Sequence, residues 1–443
     1  MGTHRQIPFV LILALAAWAR AAWDQTEVDF GVAASWDLYY VANSSNARWR
    51  QPLDDDWLDG YWMQTIGTEF RVDAKIRERL AIEILYYGAI LFTAPGEYAD
   101  RPDQDKKGYG AMRSAHATYE FGSGGRLPVR LTAGYFPFYY VPRYQLFGGY
   151  LFNTGVYPGY VLSNRSISDE TGFMLETDLP ARLRHNLFCT FELTAPLHDL
   201  SLTYLARWGI DTPLEIGAGI MLHRLLRTDQ GNDAYRRSIS HRENRYYYLD
   251  PSSPGDTVFY RKAGIKGVGR VALSIGKLLA SKRLGPEDLT LYTEAAVLGV
   301  TDFGDYYNDI TERMPVMAGI TLPSFGLLDV AGVEAEYYGS PWKNNTGEHL
   351  VPYYGFEPNT ARNSGFLPID DPSTQDAGDK ATTDNIKWAF FAKRSIKEKF
   401  VIDLRVASDH FRCPAGTKTG FEATERLHAP DEWYIQIGFA TRF

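Results

Sequence analysis

Cysteine is scarce in this chain, whose 443 residues include only Cys189 and Cys413. Two cysteines cannot supply the dense disulfide framework of a small secreted domain, and one lies in an apolar alternating stretch while the other lies in a polar loop. Zinc-ligand spacings, Gly-rich phosphate loops and the Gly-x-Ser-x-Gly nucleophile elbow are also missing. The sequence therefore predicts no structural disulfide, no cofactor and no metal site.

Long hydrophobic runs are missing as well. After residue 21 no run of eighteen apolar residues occurs, so the sequence predicts no membrane-spanning helix. Positive charge is in deficit, with 46 Lys and Arg residues against 54 Asp and Glu residues. That balance gives no reason to expect nucleic acid as a partner.

The first 21 residues differ from the rest of the chain. His4 and Arg5 precede an apolar run from Ile7 to Ala17, and Ala19-Arg20-Ala21 follows as a small-residue cleavage site. This is the pattern of a secretory signal peptide, which is removed after export. We therefore divide the chain into a signal peptide, residues 1–21, and an exported mature part, residues 22–443.

Alternation of apolar and polar residues fills most of the mature chain. From Glu27 to Tyr40 every second residue is apolar, and the residues between them include Asp29 and Asp37. From Trp62 to Ile76 one face is again apolar, while the other carries charges that need water: Glu69, Arg71, Asp73 and Lys75. A period of two predicts β-strands with one apolar and one polar face. Taken singly, these strands suit either a soluble sandwich or a membrane barrel.

About sixteen such segments occur, each close to the nine to eleven residues that cross a bilayer at a tilt. Short connections alternate with long polar ones, as periplasmic turns alternate with extracellular loops. Two connections depart from this pattern: 196–199 is a short outer loop, and 275–287 is a long inner turn whose sequence allows a helix. We therefore predict an all-β fold, a transmembrane antiparallel up-and-down β-barrel in one domain. Its strands are expected at 27–40, 62–76, 80–91, 112–121, 129–138, 171–178, 186–195, 202–208, 214–225, 258–273, 289–299, 315–322, 328–338, 385–393, 400–409 and 433–443.

The closing segment places five apolar side chains on one face: Trp433, Ile435, Ile437, Phe439 and Phe443. A last strand that ends in an aromatic residue resembles the closing strand of Gram-negative outer-membrane β-barrels. The resemblance implies an outer-membrane location, contact with outer-membrane lipid, and recognition of Phe443 by the barrel assembly machinery. The last strand of a soluble sandwich is the alternative.

With its sixteen segments, the chain resembles the sixteen-stranded porins. The resemblance implies a water-filled channel for passive diffusion of small hydrophilic solutes, ions or sugars, without enzymatic activity, and it leaves a homotrimer open. In porins the third outer loop folds into the channel and narrows it, and the matching link here is Tyr139 to Ser168. The implied constriction residues are Tyr139, Tyr140, Arg143, Tyr144, Phe147, Tyr150 and Phe152.

The residues of this link suggest more about its structure. Pro142 suits a helix start and Gly155 a helix end, so we expect a short helix whose one face carries Leu146, Phe147, Tyr150 and Leu151. The link contains Arg143 and Arg165 but no acidic residue. General porins carry acidic residues here, facing a basic wall, so the usual transverse field is in doubt.

Charges of both signs fall on the predicted inner faces. Their near balance predicts weak ion selectivity, and pairing between neighbouring strands is the simpler reading. By the same register, a charge at Val32, Ile66 or Ile402 would face lipid, whereas one at Gly67 or Ala407 would face the lumen and be tolerated. The candidate pore-lining charges are Arg71, Asp73, Arg113, Glu120, Arg130, Arg270, Glu294, Glu334, Lys387, Asp403 and Arg405.

Two other functions stay open at this point. A structural or adhesive barrel would use its long loops, above all Gly339 to Asp384, to bind a partner. A rim-site enzyme would need a catalytic arrangement, but His116, His185 and His223 have no Ser or Asp partner at a telling spacing.

We expect Phe443 to govern assembly. Deleting it, or substituting Phe443→Asp, should reduce insertion into the outer membrane and increase degradation in the periplasm, because the lipid-facing row of the last strand loses its terminal aromatic residue. Heat-modifiable, membrane-inserted protein measured on semi-native gels tests this. Normal amounts of inserted protein would contradict the assembly role.

Overall fold

The computed structural model describes residues 26–43, 60, 62–76, 79–92, 106–122, 128–152, 168–191, 199–227, 247–249, 257–259, 264–279, 284–300, 310–339, 385–409, 411–413, 424–425, 427 and 430–443. The predicted signal peptide, residues 1–21, and nearly all of Gly339 to Asp384 lie outside these ranges.

Strands dominate the described part of the chain. One short helix, α1 (Ile275–Leu279), lies in the long inner turn where the sequence allowed a helix, and a 3-10 turn spans Ile310–Arg313. The strands are β1 (Thr26–Asn43), β2 (Trp62–Ile76), β3 (Leu80–Phe92), β4 (Lys106–Phe121), β5 (Val129–Phe138), β6 (Ser168–Leu179), β7 (Leu183–Phe191), β8 (Asp199–Trp208), β9 (Leu214–Arg227), β10 (Tyr247–Leu249), β11 (Thr257–Phe259), β12 (Gly264–Ser274), β13 (Thr290–Val297), β14 (Val316–Thr321), β15 (Val330–Tyr337), β16 (Ile386–Ile396), β17 (Phe400–Ser408), β18 (Arg412–Cys413), β19 (Thr424–Glu425) and β20 (Trp433–Arg442).

Sixteen of these strands form one closed antiparallel barrel, in the order β1 to β9, β12 to β17 and β20, which returns to β1. The remaining four form two separate hairpins, β10 with β11 and β18 with β19. The predicted fold class is therefore confirmed. The largest boundary shifts are in three barrel strands: the fourth is Lys106–Phe121 rather than 112–121, the seventh is Leu183–Phe191 rather than 186–195, and the tenth is Gly264–Ser274 rather than 258–273.

The barrel closes where the last strand meets the first. β20 pairs with β1 from Trp433 to Arg442, and the ladder continues one residue further. The backbone N–H of Phe443 donates to the carbonyl of Val32 at 2.8 Å, and the N–H of Val32 donates back at 3.3 Å. Because the ladder closes on itself, the barrel sheet has no unpaired edge.

Large apolar side chains cover the outside of the barrel. Phe30 is 72% exposed and Phe443 78% exposed, and such residues recur at alternate positions around the strands. The inner faces carry the charges instead, so the surface pattern is the reverse of that of a soluble sandwich. Among the described residues, no helix is long and apolar enough to span a membrane.

Arg113 and Glu120 on the fourth strand were both predicted to face the lumen, and a β-bulge makes that arrangement possible. Arg113 and Glu120 are seven residues apart, so strict alternation puts them on opposite faces. In the barrel, Leu85 pairs with Ser114 and its neighbour Tyr86 pairs with Met112, which leaves Arg113 as the extra residue. The bulge re-aims the strand, and the guanidinium of Arg113 lies 5.1 Å from the ring centre of inward-facing Tyr87.

Gly67 and Ala407 do face inward, but the structure shows that neither has room for a charged side chain. A β-carbon at Gly67 would lie 2.6 Å from the hydroxyl oxygen of Tyr87 and 2.7 Å from that of Ser35. Ala407 is fully buried. These positions are therefore poor controls for a lumenal charge, because the inner face is not solvated everywhere. Gly31 is the better control, since its added β-carbon would meet only the Cβ of Arg71, at 3.7 Å.

The facing of β1 can be tested with adjacent residues. Val32→Lys puts a charge among lipid-facing side chains and should cost up to about 2–4 kcal/mol of folding free energy, the upper values applying at the bilayer centre. Gly31→Lys points into the lumen and should cost much less. Denaturant titration of both variants in lipid vesicles makes the comparison. Equal losses, or the larger loss at Gly31, would show that the register is shifted by one residue.

Candidate pore and crossing segment

Residues 139–152, here called the crossing segment, leave the end of β5 and hydrogen-bond to the inner faces of β13 and β15. In the ring of sixteen strands β5 is the fifth and β15 the thirteenth, so the two lie on opposite sides. The acceptor on β15, Glu334, points inward because its neighbour Val333 is exposed on the outer face. The crossing segment therefore reaches from one wall of the barrel to the other.

Glu334 accepts three hydrogen bonds. Its Oε2 receives the backbone N–H groups of Leu146 and Phe147 at 2.8 and 3.0 Å. Its Oε1 receives the hydroxyl of Tyr292, on the neighbouring wall, at 2.7 Å. Glu334 is only 1% exposed. One buried carboxylate therefore satisfies two backbone donors of the crossing segment, which would otherwise be unpaired away from bulk water.

Tyr150 is held by two further carboxylates. Its backbone N–H donates to Glu294 at 3.0 Å, and its hydroxyl donates to Glu336 at 2.8 Å. Arg270 also connects the wall to the crossing segment. Its guanidinium lies 3.5 Å from a carboxylate oxygen of Glu294 on the wall, and it donates to the side-chain carbonyl of Gln145 in the segment at 2.8 Å. All of these groups are buried, and each charge has a partner, which is the condition for keeping charges away from water.

Apolar contacts anchor the two ends of the crossing segment. Phe152 packs against Phe138 and Phe188, with ring centres 5.0 and 5.1 Å apart. Tyr144 stacks on Phe391 at 5.8 Å, across the lumen. Burying these rings favours the docked position over an extended surface loop.

Two glycines on β9 leave space for the segment. A β-carbon at Gly217 would lie 2.6 Å from the hydroxyl oxygen of Tyr140, and one at Gly219 would lie 2.8 Å from a methyl carbon of Leu151. The segment can therefore approach this wall closely only because glycine has no side chain at these two positions.

The predicted short helix does not form within the described residues 139–152, which show turns and bends and no helix. Gly148 and Gly149 both adopt positive φ, at 91° and 68°, which breaks the helical path. Positive φ is accessible to glycine at little cost. The apolar face expected from Leu146, Phe147, Tyr150 and Leu151 is nevertheless buried.

Two tyrosines of the segment, Tyr144 and Tyr150, stay protonated and act as donors. Burial and a neighbouring carboxylate raise the pKa of Tyr150, beside Glu336, and of Tyr144, beside Glu287. The Tyr144 hydroxyl accordingly donates to Glu287 at 2.8 Å. Of the other candidate constriction residues, Tyr140, Phe147 and Phe152 are buried, Tyr139 is half-buried, and Arg143 is exposed.

Eight of the eleven candidate pore-lining charges fall into two groups. Four on β12 to β16 are buried: Arg270, Glu294 and Glu334 contact the crossing segment, and the ammonium of Lys387 donates to the carbonyl of Leu427 at 2.7 Å. Those on β2 and β4 are exposed or half-buried, namely Arg71, Asp73, Arg113 and Glu120.

The remaining three candidates are paired or lie against other strands. Arg130 pairs with Glu176 and lies 3.1 Å from Asp178. Arg405 lies 3.3 Å from Asp409 and donates to the hydroxyl oxygen of Tyr434. The carboxylate of Asp403 lies against Gly438, where a β-carbon would come within 2.4 Å of one oxygen.

Several residues that hold the segment were not singled out from the sequence. They are Glu287, Tyr292, Glu336 and Gln145. Strand alternation indicates that Tyr292 and Glu336 face inward, but no local signal indicates which residue of the crossing segment each one meets.

No family model and no curated protein matches this chain. Among solved structures, two engineered variants of Rhodopseudomonas blastica porin are similar, at 9% and 10% sequence identity and a TM-score of 0.44. Each match covers 94% of this chain and 100% of the porin. By its own strand number and order, the chain forms a porin-like barrel. The matches themselves carry no argument about function.

Removing the carboxylate of Glu334 should release the crossing segment. Glu334→Ala leaves three buried donors without an acceptor, and each unsatisfied group costs about 1–3 kcal/mol. We expect a marked loss of unfolding free energy and faster proteolytic cleavage within residues 139–152. Glu398→Ala, at an exposed turn, is the control. Unchanged cleavage and stability in Glu334→Ala would show that this carboxylate does not hold the segment.

Proposed function

We propose that this protein is an outer-membrane channel through which small hydrophilic solutes diffuse passively. The observation that supports this most directly is a closed barrel of sixteen strands whose inner face keeps exposed charges on one side. Barrels of this size enclose an aqueous passage unless a domain fills it. The crossing segment fills only part of the lumen as described, because Arg71 retains a side-chain exposure of 52%.

In this proposal the crossing segment is the inward-folded third outer loop, and it forms the constriction. Three features support that role: it spans the lumen, it is clamped by wall carboxylates, and its exposed charge, Arg143, is left in the remaining space. Solutes would pass beside the segment. The proposal needs no cofactor and no catalytic group.

The proposal includes export and assembly. A signal peptide at residues 1–21 would direct the chain out of the cytoplasm, and Phe443 would be recognised by the barrel assembly machinery. The apolar outer belt supports contact with outer-membrane lipid.

Single-channel recording in a planar bilayer tests the function. Purified, refolded protein should give open conductance steps. Replacing Arg143 to Gly155 with a short Gly/Ser linker should raise the conductance and admit larger sugars, because the barrier across the lumen is removed. A comparable shortening of Gly339 to Asp384 is the control and should change permeation much less.

The outcomes separate the hypotheses. Protein that is correctly inserted but silent would contradict the channel and favour an adhesive barrel. Equal effects of the two deletions, or an effect of the Gly339 to Asp384 deletion alone, would place the constriction elsewhere.

A further inference from the structure

The lumen has two unlike walls. The packed wall, made by the inward-facing side chains of β12 to β16, is covered: Lys266, Glu294 and Phe391 are each at most 5% exposed. The open wall, made by the inward-facing side chains of β1 to β4, keeps charges in contact with water, since Asp29 and Glu69 are exposed. A solute that passes the crossing segment on the side of β1 to β4 therefore meets the open wall.

Among its described side chains, the open wall carries an excess of negative charge. Its described side chains include seven carboxylates and three cations, the cations being Arg71, Lys75 and Arg113 and the carboxylates Glu27, Asp29, Asp37, Glu69, Asp73, Glu83 and Glu120. The balance that the whole sequence suggested does not hold on this wall. The buried charges of the packed wall are balanced in themselves, with the cations Lys266, Arg270 and Lys387 and the carboxylates Glu294, Glu334 and Glu336.

Like charges lie side by side at one level of the open wall. Asp29 pairs in register with Asp73, and Asp73 pairs in register with Glu83. Arg71 is the cation that the structure places among them, 2.6 Å from Asp73 and 2.7 Å from Glu83. One guanidinium cannot neutralise three carboxylates, so the row keeps a net negative charge.

The crossing segment presents the opposite sign to this wall. Arg143 is its one charged residue, and its guanidinium carbon lies 4.3 Å from the ring centre of Tyr139. Burial raises the pKa of Tyr139, Arg143 opposes that rise, and Asp169, Glu69 and Glu83 add to it. The phenol is therefore close enough to the open wall to sense two of its carboxylates.

We propose that the passage runs between Arg143 on the crossing segment and the carboxylates of the open wall, and that it passes small cations in preference to anions. This inference deepens the proposed channel function and depends on it. The transverse field has the opposite polarity to that of general porins, with the positive charge on the segment and the negative charge on the wall. Carboxylates outnumber cations along the passage, so their field sets the preference. The wall acts as a diffuse charge rather than as a binding site, and no cluster of ligands suited to a metal ion occurs among the described residues.

Reversal potentials in a KCl gradient across a planar bilayer test the inference. The wild-type protein should pass K⁺ more readily than Cl⁻. Asp29→Asn with Glu69→Gln should lower the permeability ratio by about twofold for each charge removed, since both side chains lie in water. Arg143→Gln should raise the ratio, because it removes the opposing charge.

Asp211→Asn is the matched control. It also removes one carboxylate, but from an exposed turn outside the strands, at a φ of 63° that asparagine accepts. It should leave the permeability ratio unchanged. A measurement that needs no variant is the dependence on salt: the wild-type preference should weaken as KCl is raised, because the Debye length shortens.

The measurements distinguish a channel without cation preference from a protein that forms no channel. The absence of conductance from inserted wild-type protein would overturn the channel itself. An open channel that prefers Cl⁻ or does not discriminate would overturn the cation preference alone. The same conclusion would follow if Asp211→Asn shifted the ratio as much as the lumenal variants, or if Arg143→Gln lowered it.

Discussion

The closed ladder of backbone hydrogen bonds is the constraint on which the rest of this structure depends. In hydrocarbon an unpaired N–H or C=O group costs several kcal/mol, so a sheet that crosses a membrane must return to its first strand. Here β20 reaches β1, and Phe443 extends the pairing to Val32. Once the ring is closed, strand alternation assigns every side chain either to lipid or to the lumen.

The lumen imposes a second constraint of the same kind. A segment that enters it without forming a helix or strand brings backbone donors with it, and these donors need acceptors. The protein supplies carboxylates from the opposite wall: Glu334 accepts from Leu146 and Phe147, and Glu294 accepts from Tyr150. A carboxylate suits this task because it accepts several hydrogen bonds, and charge-assisted bonds are stronger than neutral ones.

The same contacts decide which lumenal charges can influence a permeating ion. A count over all inner faces suggests balance, yet a charge influences a permeating ion only if it remains near the water. Glu334 and Arg270 hold the crossing segment, whereas Asp29 and Glu69 stay solvated. The net charge that a permeating ion meets in such a barrel therefore depends on which charges the inserted segment covers.

The sequence by itself determined the strands, their inward and outward faces and the closed antiparallel barrel. The strands and their two faces follow from a period of two within about ten neighbouring residues, and lipid outside with water inside enforces that period at every strand. The closed barrel was predicted from the alternation of short and long connections and from the resemblance to outer-membrane barrels. The period of two did not predict small irregularities such as the bulge at Arg113, because a single extra residue changes the pattern very little.

Tertiary structure decided how the lumen is organised. Leu146 and Glu334 are 188 residues apart, and their hydrogen bond exists only because closure puts β5 opposite β15. The expected helix failed for a related reason: Gly148 and Gly149 turn the chain so that its donors reach the wall, and those tertiary bonds outweigh local helix propensity. Local periodicity encodes which way a side chain points, but what it meets there depends on the whole ring.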